Sequence, residues 1–155
     1  MQILSDTTII SIDSYMEIDT KTYYYTSTGS FIRNGLDGYY IYQSNTDQKH
    51  WLWYKYPSKP GESIRVNKGV TYIVDVSLIK NDTIINCTGR DFCCYKYKEN
   101  YYTHNGKDSL KLIALRHVYI SPGFGFVKYE GWDKGFLSDT LYRSYISVLA
   151  AYSVK

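Results

Sequence analysis

Turn-forming residues are frequent and evenly spread along this chain and leave little room between them for a long helix. Gly35-Leu36-Asp37-Gly38, Asn45-Thr46-Asp47, Pro57 with Pro60-Gly61, Asn67-Lys68-Gly69, Asn81-Asp82, Gly89 and Ser121-Pro122-Gly123 divide it into short segments. Glycine reaches backbone conformations closed to other residues, and proline cannot donate to a strand ladder, so both interrupt regular structure. The segments between them are rich in Tyr, Thr, Ile and Val. Tyrosine alone supplies 19 of the 155 residues, and its ring packs on a pleated, half-buried surface while the hydroxyl stays wet.

This punctuation predicts strands at Thr7–Ile12, Thr22–Thr26, Tyr39–Gln43, His50–Tyr56, Glu62–Val66, Thr71–Ile79, Thr83–Cys87, Phe92–Lys98, Leu110–Ile120, Phe124–Glu130 and Leu141–Val154. The expected fold is all-β with little helix: an antiparallel curved sheet of about ten strands, as a half-barrel, barrel or sandwich meander. No linker or repeat divides the chain, so residues 1–155 are read as a single β domain. Leu110–Ile120 carries apolar residues on both faces, with Arg116 interrupting one of them, as a central strand would. In Leu141–Val154 a helical stripe of Tyr142, Ile146, Leu149 and Ala150 competes, but β-branched and aromatic content favours a strand.

The formal net charge is +3, and the basic residues are scattered; the densest stretch, Tyr95–Lys98, alternates Tyr and Lys as a solvated strand face does. Without a basic cluster, no nucleic-acid partner is expected. No apolar run approaches the ~18 residues of a membrane span, and Met1–Asp6 lacks the basic and apolar regions of a signal peptide. Cys87, Cys93 and Cys94 are too few for a disulfide framework. A three-residue loop Gly89-Arg90-Asp91 would set Cys87 opposite Cys93 for one cross-strand disulfide; otherwise the cysteines are expected as buried thiols acting as small hydrophobes. Asn81-Asp82-Thr83 and Asn86-Cys87-Thr88 match the short glycosylation acceptor pattern, which carries meaning only in a secreted eukaryotic protein.

No nucleophile elbow, phosphate loop or zinc-protease helix is present, so no catalytic residue, metal ligand or cofactor is assigned. Gly123-Phe124-Gly125 superficially suggests a nucleotide loop but reads as a turn or bulge, since no helix follows to receive a phosphate. His50, His104 and His117 lie far apart without metal-ligand spacing. Asp75, Asp82, Asp91 and Asp133 sit mostly in turn-like contexts. The aromatic residues are the remaining lead. Tyr40 and Tyr42 lie on one expected strand and Trp51 and Trp53 on the next, and alternation would put both indoles on one face with Tyr54 and Tyr56 on the other. Such a face either packs the core or stacks a ligand, and these four residues are the candidate ligand-binding set.

Three segments carry a resemblance to a known group. Trp53–Glu62, with its Tyr54-Lys55-Tyr56-Pro57 and Lys59-Pro60-Gly61, and Ile120–Glu130, with Pro122-Gly123-Phe124-Gly125 and Val127-Lys128-Tyr129-Glu130, resemble motifs of small outer-membrane lipoprotein domains of Bacteroidetes. Gly89–Tyr97, with Phe92 and Cys93, resembles a hairpin between them, with one extra residue and a second cysteine. The resemblance covers about half the chain, from Trp53 to Glu130. It implies a curved sheet similar to lipoprotein-carrier half-barrels, exported to the periplasm or tethered to the outer membrane by a lipidated cysteine that this sequence does not contain. It implies no activity.

The functional expectation is a non-catalytic cell-envelope β domain that binds an apolar small molecule such as a lipid, or a partner segment. The alternatives are a carbohydrate-binding module using an aromatic platform, and an enzyme whose acid–base residues meet only in the folded chain.

Overall fold

Each strand hydrogen-bonds to the next one along the chain, with a single break. The computed structural model describes residues 12–27, 29–42, 50–68, 72–87, 89–104, 109–134 and 140–148. Among them are eleven strands and no helix. They are β1 (Ile12–Ile18), β2 (Lys21–Thr26), β3 (Phe31–Asn34), β4 (Gly38–Tyr42), β5 (His50–Lys55), β6 (Ser63–Lys68), β7 (Tyr72–Cys87), β8 (Arg90–His104), β9 (Leu110–Ser121), β10 (Gly125–Lys134) and β11 (Leu141–Val148). β1 to β5 form a five-stranded sheet and β6 to β11 a six-stranded one, both antiparallel and in sequence order. Neither sheet closes on itself, which removes a single closed barrel from the expected forms.

The break falls in the connection from β5 to β6, where Pro57 and Pro60 lack the N–H that a continued ladder needs. Immediately beyond it the chain resumes pairing: Gly61 N–H donates to the Leu78 carbonyl and Leu78 N–H to that of Glu62, both at 2.9 Å. One core cluster draws on both sheets. Tyr39, Trp53, Tyr54 and Tyr56 come from β4, β5 and the residue after β5, and Val66, Val74, Val76, Leu78, Tyr97, Val118 and Ile120 from β6 to β9. β9 lies between β8 and β10, as its two-sided apolar pattern predicts. Arg116, which interrupts that pattern, is accommodated by hydrogen bonds to the Leu115 and Trp132 carbonyls and an ion pair with Asp133 at 2.7 Å.

Several expectations are corrected. Asn81-Asp82 does not reverse the chain: β7 runs through it, and the surplus residues are absorbed as irregularities between Leu78 and Thr83 while pairing to β8 continues on both sides. A strand at Thr7–Ile12 falls almost entirely outside the described residues, and the first described strand is β1. β1 and β2 are joined by Asp19-Thr20, both at positive φ (49° and 63°), a two-residue turn of the hand hairpins favour but without the usual glycine. β3 was not expected either. The extent of Leu141–Val154 beyond Val148 also lies outside the described residues.

The cysteine geometry follows from the β7–β8 turn. Cys87 pairs with Arg90, so the loop has two residues, and Cys93 faces Ile84 instead of Cys87. No disulfide forms; Cys87 and Cys94 are buried in a second apolar cluster with Phe92, Tyr119 and Val127, while Cys93 is exposed, contrary to the expected burial. Burial, with the neighbouring Cys93 and Cys87, pushes the Cys94 thiol up to about 12. At mildly alkaline pH a thiol-exchange reagent should therefore label Cys93 rapidly and Cys94 only after denaturation, as read by peptide mapping. Equal rates at the two adjacent positions would contradict this packing.

Candidate functional site

The four aromatic residues singled out in the sequence do not share one face. In the β4–β5 ladder Tyr42 faces His50, Ile41 faces Trp51, Tyr40 faces Leu52 and Tyr39 faces Tyr54, which leaves Trp53 as an extra residue on β5. That bulge breaks strict alternation. Trp51, Trp53, Tyr54 and Tyr56 consequently all pack on the shared core, and the expected split of indoles from phenols is corrected. Gly38 stands opposite: a Cβ there would come within 2.5 Å of Leu52 and of the Tyr54 carbonyl, so only glycine lets the strands close at this point.

Trp53 is 5% exposed and offers no open ring face; its indole N–H donates to the Glu99 carboxyl group at 2.8 Å. Trp51 is half-buried against the same core. Glu99, on β8, is 1% exposed. Its Oε1 also accepts from the Tyr54 hydroxyl at 2.6 Å, and its Oε2 from the Tyr101 hydroxyl at 3.0 Å. Burial, followed by the adjacent Glu99, raises both phenols above their ordinary range, so they remain neutral donors. The arrangement satisfies a buried acidic group with three donors and joins β5 to β8 across the two sheets. Nothing in the sequence singles out Glu99, because two of its three partners lie on another sheet.

Tyr40 and Tyr42 project from the opposite face of the five-stranded sheet, and here an aromatic surface does assemble. Tyr25 and Phe31 rings lie 4.7 Å apart, Phe31 and Tyr42 6.3 Å, and Tyr42 and Tyr23 5.8 Å, with interplanar angles of 42°, 83° and 54°. The Arg33 guanidinium sits 4.0 Å from the Tyr40 ring centre. Tyr40 hydroxyl donates to Asp37, which lowers the Asp37 carboxyl below its ordinary value. Tyr23, fully buried, bonds His50 Nδ1 through its hydroxyl at 2.7 Å, and His50 Nε2 reaches the Asp19 carboxylate at 2.9 Å. The Asp19-Thr20 turn thus delivers an acidic group to the end of β5. Tyr25, Phe31, Tyr40, Tyr42 and His50 are all half-buried. Sequence reasoning found two members of this surface and missed Tyr25, Phe31 and Arg33, with the buried Tyr23 beside them, since the register that aligns them is set by pairings across four strands.

A cleft of about 160 Å³ opens beside the β5–β6 connection, lined by Lys55, Ser58, Glu62, Ile64 and Tyr97. Lys55 and Ser58 both hold Glu62, at 3.3 and 3.0 Å. Pockets for small molecules usually measure about 300–1,000 Å³, so this one is small for a lipid.

Substitutions at two positions test the arrangement. Glu99→Ala removes the acceptor that Trp53, Tyr54 and Tyr101 share and should cost about 3 kcal/mol or more in urea unfolding, with Glu99→Gln milder because it keeps one carbonyl oxygen. Asp37 has a lowered folded-state value, so its bond to Tyr40 contributes above the ordinary carboxyl range and is lost as pH falls through that lowered value. Tyr40→Phe should remove this part of the acid dependence of Tm and leave the neutral-to-alkaline part unchanged.

No protein-family model matches this sequence, no curated protein is similar to it, and no solved structure matches its fold.

Proposed function

We propose that this chain is a non-catalytic binding domain of the bacterial cell envelope that engages an extended segment of a partner protein on the aromatic face of its five-stranded sheet. The observation that carries this reading is the contiguous set of half-exposed rings Tyr25, Phe31, Tyr40 and Tyr42 with Arg33 and His50. Tyr and Arg supply large, amphipathic contact area and are the residues enriched at protein recognition surfaces. Rigid strands present them, so little ordering entropy opposes binding.

The tilt of the rings separates this reading from its rivals. Sugar platforms stack pyranose faces on flat, open rings. Here neighbouring rings are inclined by 42° to 83°, which gives an uneven apolar surface suited to side chains more than to a flat pyranose face. The described interior is filled by side chains from both sheets, which favours a partner segment over an enclosed lipid or other apolar small molecule. The envelope setting, periplasmic or outer-membrane-tethered, rests on the resemblance of Trp53–Glu62 and Ile120–Glu130 to Bacteroidetes lipoprotein domains. The curved, half-barrel form of the sheets rests on the same resemblance.

Panning a random 12-residue peptide library against the purified chain tests the proposal. Enriched peptides should be rich in apolar and aromatic residues, and should lose binding at least about ten-fold on Tyr25→Ala or Tyr42→Ala. Ile84→Ala, on the other sheet and exposed, should leave binding unchanged. Binding indifferent to the two tyrosines would overturn the assignment. Saturable binding on a glycan array, lost in the same two variants, would replace it with the carbohydrate reading.

A further inference from the structure

The face of the six-stranded sheet turned away from the shared core carries a row of cations that the register places side by side. Val118 and Ile120 of β9 point into the core, so His117 and Tyr119 point outward. On that outward side Lys96 of β8 stands between Lys80 of β7 and Tyr119, and Lys128 of β10 stands on the far side of Tyr119. One residue pair along, Lys98 of β8 faces His117, which faces Glu130 of β10. The Lys96 and Lys128 ammonium groups each lie 5.3 Å from the centre of the Tyr119 ring.

The acidic groups within reach do not balance this charge. Glu130, 7% exposed, pairs with Lys128 at 2.9 Å and accepts from the Tyr119 hydroxyl at 3.0 Å. Lys80 pairs with Asp82 at 3.4 Å. Among the described residues, Lys96 and Lys98 have no ion-pair partner. Like charges set directly opposite each other in a sheet, as Lys80 and Lys96 are, oppose folding. We propose that Lys96, Lys98 and His117 form a binding site for a phosphate-type oxyanion on the outward face of the six-stranded sheet.

Three features fit that ligand. The lysines offer point charges to separate oxygens, and the imidazole offers a directional N–H. Strand backbone fixes their spacing. His117 is half-buried, and its ring lies 4.9 Å centre to centre from that of Trp132 in a near-perpendicular contact, so solvent is partly excluded where the anion would sit. Burial first, then Lys96 and Lys98, lowers the His117 value, although Glu130 at 3.7 Å pulls the other way. The groups facing this imidazole are Lys96 and Lys98 from β8, Lys128, Glu130 and Trp132 from β10, and Tyr119 from its own strand. An arriving dianion reverses the local sign of the field and favours imidazolium.

The test is the pH titration of the His117 ring by NMR in the full chain, with inorganic phosphate, with sodium chloride at matched ionic strength, and with phosphatidylcholine vesicles containing phosphatidylglycerol. A saturable rise of the His117 midpoint with phosphate, absent with chloride, supports the site as one for a soluble anion. A rise with the vesicles alone supports it as a headgroup site. Lys96→Gln and Lys98→Gln should each weaken the apparent affinity about ten-fold or more, and Lys96→Arg should retain it. Lys21→Gln, on the other sheet, controls for net charge. The proposal is overturned by an equal rise in chloride, by no rise in any arm, or by a rise that Lys21→Gln reduces as much as Lys96→Gln does.

Discussion

A carboxyl group sealed from water is what the two sheets are assembled around. Glu99 is buried on β8, and its oxygens accept hydrogen bonds from Trp53, Tyr54 and Tyr101. A polar group in that position is costly unless every lone pair finds a donor, and two of the three donors come from β5 in the other sheet. Apolar packing of Tyr39, Trp53 and Tyr54 against Val74, Val76 and Val118 tolerates small slips; the Glu99 bonds do not. Further links of the same kind surround it. Tyr97 hydroxyl donates to the Lys55 carbonyl, and Phe126 packs on Tyr39 and Tyr54 at 5.0 and 5.8 Å. In the amide orientation that satisfies its neighbours, Asn34 accepts from the Gly125 N–H of the β9–β10 turn at 2.8 Å. Tyrosine abundance has a structural reason here: its ring fills the core while its hydroxyl reaches the backbone or an acid on the facing sheet.

With the inner faces consumed by this seam, recognition chemistry is left to the outer ones, and the two sheets differ in what they offer. The five-stranded sheet presents tilted aromatic rings with one guanidinium and an Asp19–His50–Tyr23 chain at its margin. The Tyr23 hydroxyl belongs to a fully buried residue, and this chain of hydrogen bonds ties β2 and β5 to the β1–β2 turn. The six-stranded sheet presents lysines and a histidine around Tyr119.

Much of the architecture was legible from punctuation. The Ser121-Pro122-Gly123 turn, the break at Pro57 and Pro60, and a two-sided β9 all followed from local rules. The misses also have local causes. Asp19-Thr20 turns the chain without glycine or proline, so β1 carried no marker at its end. Asn81-Asp82 has turn composition but lies where two long strands keep pairing, and ladder hydrogen bonds on both sides outweighed it. Of the candidate set, Tyr40 and Tyr42 alternate on one strand and share the outer face, while Trp51 and Trp53 pack on the core; that separation is set by the β4–β5 register, which is invisible without the partner strand.

The sequence by itself determined that the described chain is built of β-strands, where many of them begin and end, and that tyrosine supplies much of its packing, since turn chemistry and side-chain shape act within a few residues. Tertiary structure alone decided which side chains meet: the division into two open sheets, the burial of Glu99 beneath β5, the aromatic surface around Tyr42, and the run of Lys80, Lys96 and Lys128. Those lysines lie 16 and 32 positions apart along the chain and look scattered there. Strand register brings them into one row, because pairing partners are set by hydrogen bonds between segments and not by distance along the sequence.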